Sequence, residues 1–391
     1  MVINTVGVIG AGVMGSDIAF VTARAGKPVI VCDVSPEALD HARARIAHLT
    51  GRALERGQLD AETANALRER ITTTDDDAAL ADCDLVIEAV SERMDLKRTV
   101  FRRLDALVPP GGLLASNTSG LSISEIARCT SRPESVVGIH FFNPAVVMRL
   151  VELIEGDQTA PEVLDAAEVF VRDVGKTPVR VRECPGFLVN RVLVRAMAES
   201  YRHATTTGAD PASVDAAVTA AGPAPMGPFA LGDLIGLDTM GHIQRDLEEA
   251  YGERFTDAGT ITAQVAHGRL GRKNGLGFLA PGAADPIVGD DARAAAERYY
   301  LGALDEALRC DQESIAARPD IDTALRLGAG WEQGPLAWAD AQGAERVLDR
   351  MQELSRTAGT RFTPKALLTR RAADGRSLVD DADLDPGSGP R

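Results

Sequence analysis

The sequence predicts an α/β Rossmann-type N-terminal domain followed by an all-α C-terminal half made of two tandem repeats. Three observations lead there. Short β-branched runs alternate with longer helical stretches through the first half, which is how a parallel sheet covered by helices reads. The first of these runs enters Gly10-Ala11-Gly12-Val13-Met14-Gly15 and then a helix. Beyond Phe187 the pattern is helical and recurs at a fixed offset of 107 residues.

A chain of 391 residues has room for two or three domains, and 45% hydrophobic with 25% charged residues is ordinary for a soluble globular protein. The formal net charge of −15 argues against nucleic acid or an anionic membrane as partner. An anionic cofactor stays open, because a few backbone donors and arginines cradle phosphate locally. The five cysteines are scattered, with no CxxC pair and no histidine at metal-ligand spacing. They read as reduced thiols in a cytoplasmic protein without a metal. No apolar run approaches the roughly 18 residues of a membrane span, and the N-terminus enters a strand without a signal-peptide pattern.

Strands are expected at residues 5–9, Val29–Cys32, Leu85–Glu88, Leu113–Ser116 and 136–140, with 151–154 extending the sheet. The run 177–181 and the break at Pro185-Gly186 close a first domain over 1–184. After the second strand, Leu39, Ile46, Leu49 and Leu54 mark a helical insertion that Gly57 interrupts, so it reads as a helical hairpin.

The offset of 107 takes Gly227-Pro228 to Gly334-Pro335, Asp233 to Asp340, and Arg254-Phe255 to Arg361-Phe362. It also takes Asp215 to Asp322, Glu199 to Glu306 and Gly268-Arg269 to Gly375-Arg376. So many glycine, proline and charged matches at one ungapped offset indicate a duplicated helical unit, over 185–282 and 290–378. Residues 379–391, acidic and then Pro/Gly/Ser-rich, are expected to be a disordered tail.

In the glycine-rich turn, Gly10 permits the sharp bend, Gly12 admits a pyrophosphate, and Gly15 lets helix and strand pack closely. The N–H groups and dipole of the helix opening at Val13 and Met14 would hold the phosphates. Asp33, at the end of the next strand, would accept from the adenosine ribose hydroxyls and repel a 2′-phosphate. Val34 offers no compensating cation, so NAD is favoured over NADP.

Five further stretches belong together: Ser116-Asn117-Thr118-Ser119-Gly120-Leu121-Ser122-Ile123, Gly138-Ile139-His140-Phe141-Phe142-Asn143-Pro144, Leu150-Val151-Glu152-Leu153-Ile154, Pro185-Gly186-Phe187-Leu188-Val189-Asn190-Arg191 and Gly227-Pro228-Phe229. In this order, across roughly residues 3–280, they closely resemble the L-3-hydroxyacyl-CoA dehydrogenase family. The sequence departs from that pattern at Gly120, where a second serine is common, and at Arg149, where lysine is common; neither removes a catalytic group.

The resemblance implies NAD-dependent oxidation of an L-3-hydroxyacyl-CoA to the 3-ketoacyl-CoA, reversible, with a short-chain, 3-hydroxybutyryl-like substrate. Hydride transfer from a secondary alcohol needs a base at the hydroxyl, and imidazole titrates in the right range. His140 stands at a strand end, where sheets of this class place ligands. Glu152 follows 12 positions later within an apolar run, where a lone carboxylate is costly. The resemblance makes His140 its partner, so that Glu152 fixes the imidazole tautomer and balances the imidazolium.

By the same resemblance, Ser119 bonds the substrate oxygen, while Asn143 and Asn190 help position substrate, nicotinamide and His140. Asx-turn and helix-cap chemistry is an alternative for both asparagines. Asn117 joins the cofactor-binding set. Glu92 and Lys97 lie where the family contacts the nicotinamide ribose, whereas Glu88 serves equally well as a sheet-edge cap. Lys273, in Gly271-Arg272-Lys273-Asn274-Gly275, sits in a family motif near the cofactor. Arg52 and Arg56, one turn apart on the hairpin, are candidates for the CoA phosphates, a solvated charged face being the ordinary alternative.

Two rival readings stand beside this one: an L-gulonate-like sugar-acid dehydrogenase on the same fold, and a catalytically silent crystallin-like relative. Acyl chain length and a second carboxylate on the acyl group stay open. The second helical copy reads as non-catalytic, because Asn190 maps to Glu297 and 185–187 map to Ala292-Arg293-Ala294. It would pack on the first copy as a pseudo-dimer within one chain, leaving a homodimer of whole chains open.

Overall fold

The computed structural model describes residues 2–279 and 285–380, and the chain divides into two compact units between Cys184 and Pro185. The first unit is one eight-stranded sheet in the order β3-β2-β1-β4-β5-β6-β7-β8. Its strands are β1 (Val6–Ile9), β2 (Val29–Cys32), β3 (Ile71–Thr74), β4 (Leu85–Glu88), β5 (Leu113–Ser116), β6 (Val136–Phe141), β7 (Leu150–Glu155) and β8 (Thr177–Arg182). Every neighbouring pair is parallel except β6 and β7. Six helices connect them: α1 (Val13–Arg24), α2 (Pro36–Glu55), α3 (Ala61–Glu69), α4 (Met94–Leu107), α5 (Ile123–Ala127) and α6 (Pro161–Asp173).

Strands β1, β2, β4 and β5 are almost wholly apolar because helices cover both faces. Val6, Val8, Val29, Val31, Leu85 and Ile87 pack against Ile18 and Phe20 of α1. The helical hairpin is α2 and α3. Ser35 and Asp60 cap these helices by accepting from Ala38 N–H and Thr63 N–H. Strand β3 is an element the sequence did not announce, since Ile71-Thr72-Thr73-Thr74 carries little apolar signal and is only half covered. It forms because β2 offers it a free edge, pairing Val29 with Ile71 through Cys32 with Thr74.

The second unit is helical: α7 (Val189–Thr207), α8 (Pro211–Ala221), α9 (Pro228–Ile235), α10 (Leu237–Tyr251), α11 (Thr260–Ala266), α12 (Asp290–Gln312), α13 (Arg318–Gly328), α14 (Pro335–Gln342), α15 (Ala344–Thr357) and α16 (Ala366–Asp374). The last five follow the first five helix for helix. The polar details follow too. Asp215 on α8 accepts from Phe229 and Ala230 N–H at 2.9 and 2.7 Å, capping α9. Asp322 on α13 accepts from Leu336 and Ala337 N–H at 2.9 and 2.8 Å, capping α14.

The halves of this unit part after Gly268-Arg269 and Gly375-Arg376. Asp233 accepts from Phe278 and Leu279 N–H, ten and eleven residues past Gly268. Its counterpart Asp340 accepts from Leu378 N–H, three residues past Gly375. Asp340 thus finds its donor seven residues sooner after the glycine than Asp233 does, without the intervening loop that carries Lys273. An open cavity of about 460 Å³ lies over Gly343, Glu345 and Arg376. Of the expected tail 379–391, residues 381–391 lie outside the described residues. Among the described residues no two cysteines are joined in a disulfide, and no helix is long and apolar enough to cross a membrane.

The two caps lead to a pH dependence. Burial pushes the Asp215 carboxyl up to about 7, against the lowering effect of its two backbone donors, and Asp322 is raised for the same reason. A carboxyl raised above its unfolded value stabilises the fold fully below that unfolded value, and the contribution is lost as pH rises through the folded one. Asp215→Asn is expected to flatten the fall in stability between about pH 4 and 7 by up to ~1.4 kcal/mol per pH unit, read by urea unfolding. Parallel slopes in the two proteins would contradict this.

Candidate active site

The carboxyl ends of the strands gather the polar side chains of the first unit. At the end of β1, Gly10 adopts φ +107°, and a Cβ there would come within 2.6 Å of the Ala89 carbonyl. A Cβ on Gly15 would sit 1.9 Å from the Gly10 carbonyl, so only glycine lets α1 start this close to β1. Gly12 is the N-cap of α1, makes no side-chain cap, and has open space where a Cβ would be. Val13, immediately above it, is exposed, and Met14 packs partly against the core. Free N–H groups at an uncapped helix start, with room beside them, fit a dinucleotide pyrophosphate.

Asp33 closes this cradle from β2. Its Oδ2 accepts from Ala11 N–H at 2.8 Å and its Oδ1 from Ser35 N–H at 2.9 Å. The carboxylate therefore ties the glycine-rich turn to the second strand, while Val34 beside it is 78% exposed and carries no charge.

Next to β1, the end of β4 supplies a second cluster. Glu88 is fully buried; its Oε1 accepts from Lys97 Nζ at 2.7 Å and Val90 N–H at 2.8 Å, and its Oε2 from Ser116 Oγ at 2.6 Å. Lys97, on α4 and also buried, reaches Glu92 at 3.1 Å. Glu92 accepts from Thr118 Oγ1 at 2.6 Å and from Ser119 N–H and Oγ at 2.9 and 3.2 Å. Burial raises the Glu92 carboxyl, but Lys97 and these donors outweigh it and hold the group below the usual carboxylate range. Lys97 thus lies between two carboxylates, with Glu92 the exposed end. Asn117, on the adjoining loop, accepts at its Oδ1 from Phe141 N–H at 2.8 Å, pinning the end of β6.

The reversal of β7 then brings the remaining pair together. In the antiparallel β6–β7 ladder His140 stands directly opposite Glu152. Facing residues of such a pair project on the same side of the sheet. His140 Nδ1 lies 2.8 Å from Glu152 Oε2, with side-chain exposures of 8% and 1%. The Phe142 ring packs on the imidazole, 4.5 Å between centroids. A carboxylate at Nδ1 accepts the hydrogen bond of an Nδ1–H, which fixes the tautomer in which Nε2 is the basic nitrogen.

Other expected residues are carried by other segments of the chain. Asn143 is exposed on the β6–β7 loop. Arg52 is in the last turn of α2, and Arg56 is its C-cap; both are exposed on the hairpin. Asn190, in the first turn of α7, and Lys273, which pairs with Asp238, belong to the helical unit. Sequence reasoning missed Lys176, whose ammonium donates to the Ala145 and Met148 carbonyls and holds the β6–β7 loop. Burial and the nearby Arg24 and Arg149 press its amine down to about 8. No motif marks a lysine that bonds to backbone carbonyls.

Comparison with known proteins identifies the family. The family described as 3-hydroxyacyl-CoA dehydrogenase, NAD binding domain, matches residues 5–184. The description 3-hydroxyacyl-CoA dehydrogenase, C-terminal domain, matches residues 186–280 and again 295–379. The chain is 34% identical to the 3-hydroxyadipyl-CoA dehydrogenase of Escherichia coli, over 95% of this chain and 98% of that one. It is 35% identical to the fatty acid oxidation complex subunit alpha of Shewanella amazonensis, over 95% of this chain but only 55% of that longer protein. Among solved structures, the 3-hydroxybutyryl-CoA dehydrogenase of E. coli superposes with a TM-score of 0.88 at 33% identity, covering 95% of this chain and 99% of that one. The chain belongs to the 3-hydroxyacyl-CoA dehydrogenase family of NAD-dependent enzymes.

Proposed function

We propose that the protein oxidises the 3-hydroxyl of a short-chain L-3-hydroxyacyl-CoA, with 3-hydroxybutyryl-CoA as the type, and reduces the 3-ketoacyl-CoA in reverse. The observation that carries this is the His140–Glu152 pair, a base with a fixed tautomer at the carboxyl edge of a sheet whose glycine-rich turn suits NAD. NAD, when bound, accepts the hydride. Nε2 of His140 takes the hydroxyl proton, and the Glu152 carboxylate balances the charge left on the ring. Ser119, held by Glu92, orients the substrate oxygen. Glu92 lies at the nicotinamide ribose with Lys97 behind it, and Asn117 keeps the His140 strand end in place. Asn143 and Asn190 position the substrate, Lys273 supports the cofactor, and Arg52 and Arg56 meet the CoA phosphates.

For the helical unit we propose a tandem duplication in which the second copy is a built-in partner without catalytic groups. Three features support it: the matching caps at Asp215 and Asp322, the missing Lys273 loop, and a reciprocal exchange of ion pairs. Arg254 reaches Glu306 at 2.9 Å, and its counterpart Arg361 reaches Glu199, the counterpart of Glu306, at 2.6 Å. Both carboxylates are fully buried.

His140→Gln is expected to lower kcat with 3-hydroxybutyryl-CoA by ~10²–10⁴ while NAD still binds. Glu152→Gln should lose part of the same factor, with the double variant little worse than His140→Gln alone, because the two act as a unit. Near-normal turnover by the His140 variant would sink the assignment.

Asp33→Ala is expected to weaken NAD binding roughly ten- to a hundredfold and to narrow the gap between NAD and NADP. Fluorescence titration with both cofactors checks this, and a wild type that prefers NADP would contradict it.

Arg361→Met leaves Glu199 with Arg195 as its close partner. It should cost about 2–4 kcal/mol of stability, toward the low end of breaking a buried pair. An unchanged unfolding midpoint would remove the exchange as a support.

A further inference from the structure

The cluster at β4 holds three charges whose arrangement does more than fill space. Glu88 and Lys97 are both buried, at 0% and 1% side-chain exposure, whereas the Glu92 side chain is 43% exposed. Lys97 lies 2.7 Å from Glu88 and 3.1 Å from Glu92. Two carboxylates and one ammonium leave a single negative charge. Glu88 is wholly engaged by Lys97, Ser116 and Val90 N–H, so it neutralises the lysine from beneath. The uncompensated charge then resides on Glu92, at the exposed end of the cluster.

We propose that Glu88 is a positioning residue that sets the preference for oxidised over reduced cofactor, by neutralising Lys97 and leaving Glu92 as a net anion. The inference rests on the reading above that Glu92 lies at the nicotinamide ribose. The nicotinamide ring carries a positive charge in NAD⁺ and none in NADH, so a nearby anion holds the oxidised form tighter by Coulomb attraction. If Lys97 were left to Glu92 alone, the pair would be neutral and that difference would vanish. A unit charge within several ångströms in a partly solvated site changes such a ratio by roughly three- to twentyfold.

The measurement is the ratio of Kd for NAD⁺ to Kd for NADH, by fluorescence titration without substrate, so turnover plays no part. E88Q leaves Lys97 and Glu92 as a neutral pair, and the ratio should shift toward NADH by about three- to twentyfold. E92Q leaves Glu88 and Lys97 neutral and should shift it in the same direction. The double variant E88Q/K97M restores a lone anion at Glu92, and the wild-type ratio should return. A Glu88 that merely supports the fold would not be rescued by a second substitution. An unchanged E88Q ratio overturns the proposal, as does a double variant that keeps the E88Q ratio. If E88Q does not fold, E92Q against the double variant makes the same comparison of no charge with one, and equal ratios overturn it. If E92Q itself leaves the ratio unmoved, the placement of Glu92 beside the nicotinamide fails as well, a separate result.

Discussion

The hydrogen bond between His140 and Glu152 depends on one strand running backwards. In a wholly parallel sheet the residues after β6 would return through a crossover, and a partner 12 positions away would not reach the same strand end. Because β7 is antiparallel to β6, the chain turns back after a loop of eight residues and lays Glu152 opposite His140. The acid is then buried between apolar neighbours, where the imidazole N–H helps to make its charge tolerable. Lys176 and Asn117 secure the same segment, one bonding the loop carbonyls and the other the amide that follows His140.

The parallel part of the sheet solves a related problem. Each strand end presents backbone groups that no neighbour strand can satisfy, and here carboxylates take them. Asp33 accepts from the glycine-rich turn, and Glu88 accepts from the backbone beyond its own strand and from Ser116 on the next. The groups that would meet a cofactor are thus also the groups that finish the sheet. Removing one is expected to disturb local geometry as well as binding, so relative affinities for two cofactor forms report on charge better than absolute ones.

Much of this was legible from residue order. The glycine spacing after a β-branched strand, the acid ending the next strand, and a histidine and a glutamate in two apolar runs each carry a local signal, and the fold puts them where those signals pointed. What stayed hidden was long-range. Ile71-Thr72-Thr73-Thr74 becomes a strand through an edge offered by β2, not through its own hydrophobicity. Glu88 looked like an ordinary edge cap, because nothing in the spacing of Glu88, Glu92 and Lys97 says that the lysine is buried between the two acids. Lys176 had no signal at all, since its partners are main-chain carbonyls 28 and 31 residues earlier.

The helical unit turns the same cost of burying charge to a different use. Glu199 and Glu306 are withdrawn from water on α7 and α12, and each takes an arginine from the half of the unit to which it does not belong. Arg191 and Arg195, both buried on α7, add further pairing to Glu306 and Glu199 respectively. Separating the halves would take Arg361 from Glu199 and both Arg191 and Arg254 from Glu306, a penalty larger than the gain from pairing exposed charges. Apolar packing alone would tolerate a sliding contact between long helices such as α7 and α12. Reciprocal buried ion pairs do not, because every bond has one partner at one place. On this account the charges contribute register more than net stability, and the sheet-bearing unit is joined to a helical body whose two halves can pack in only one way.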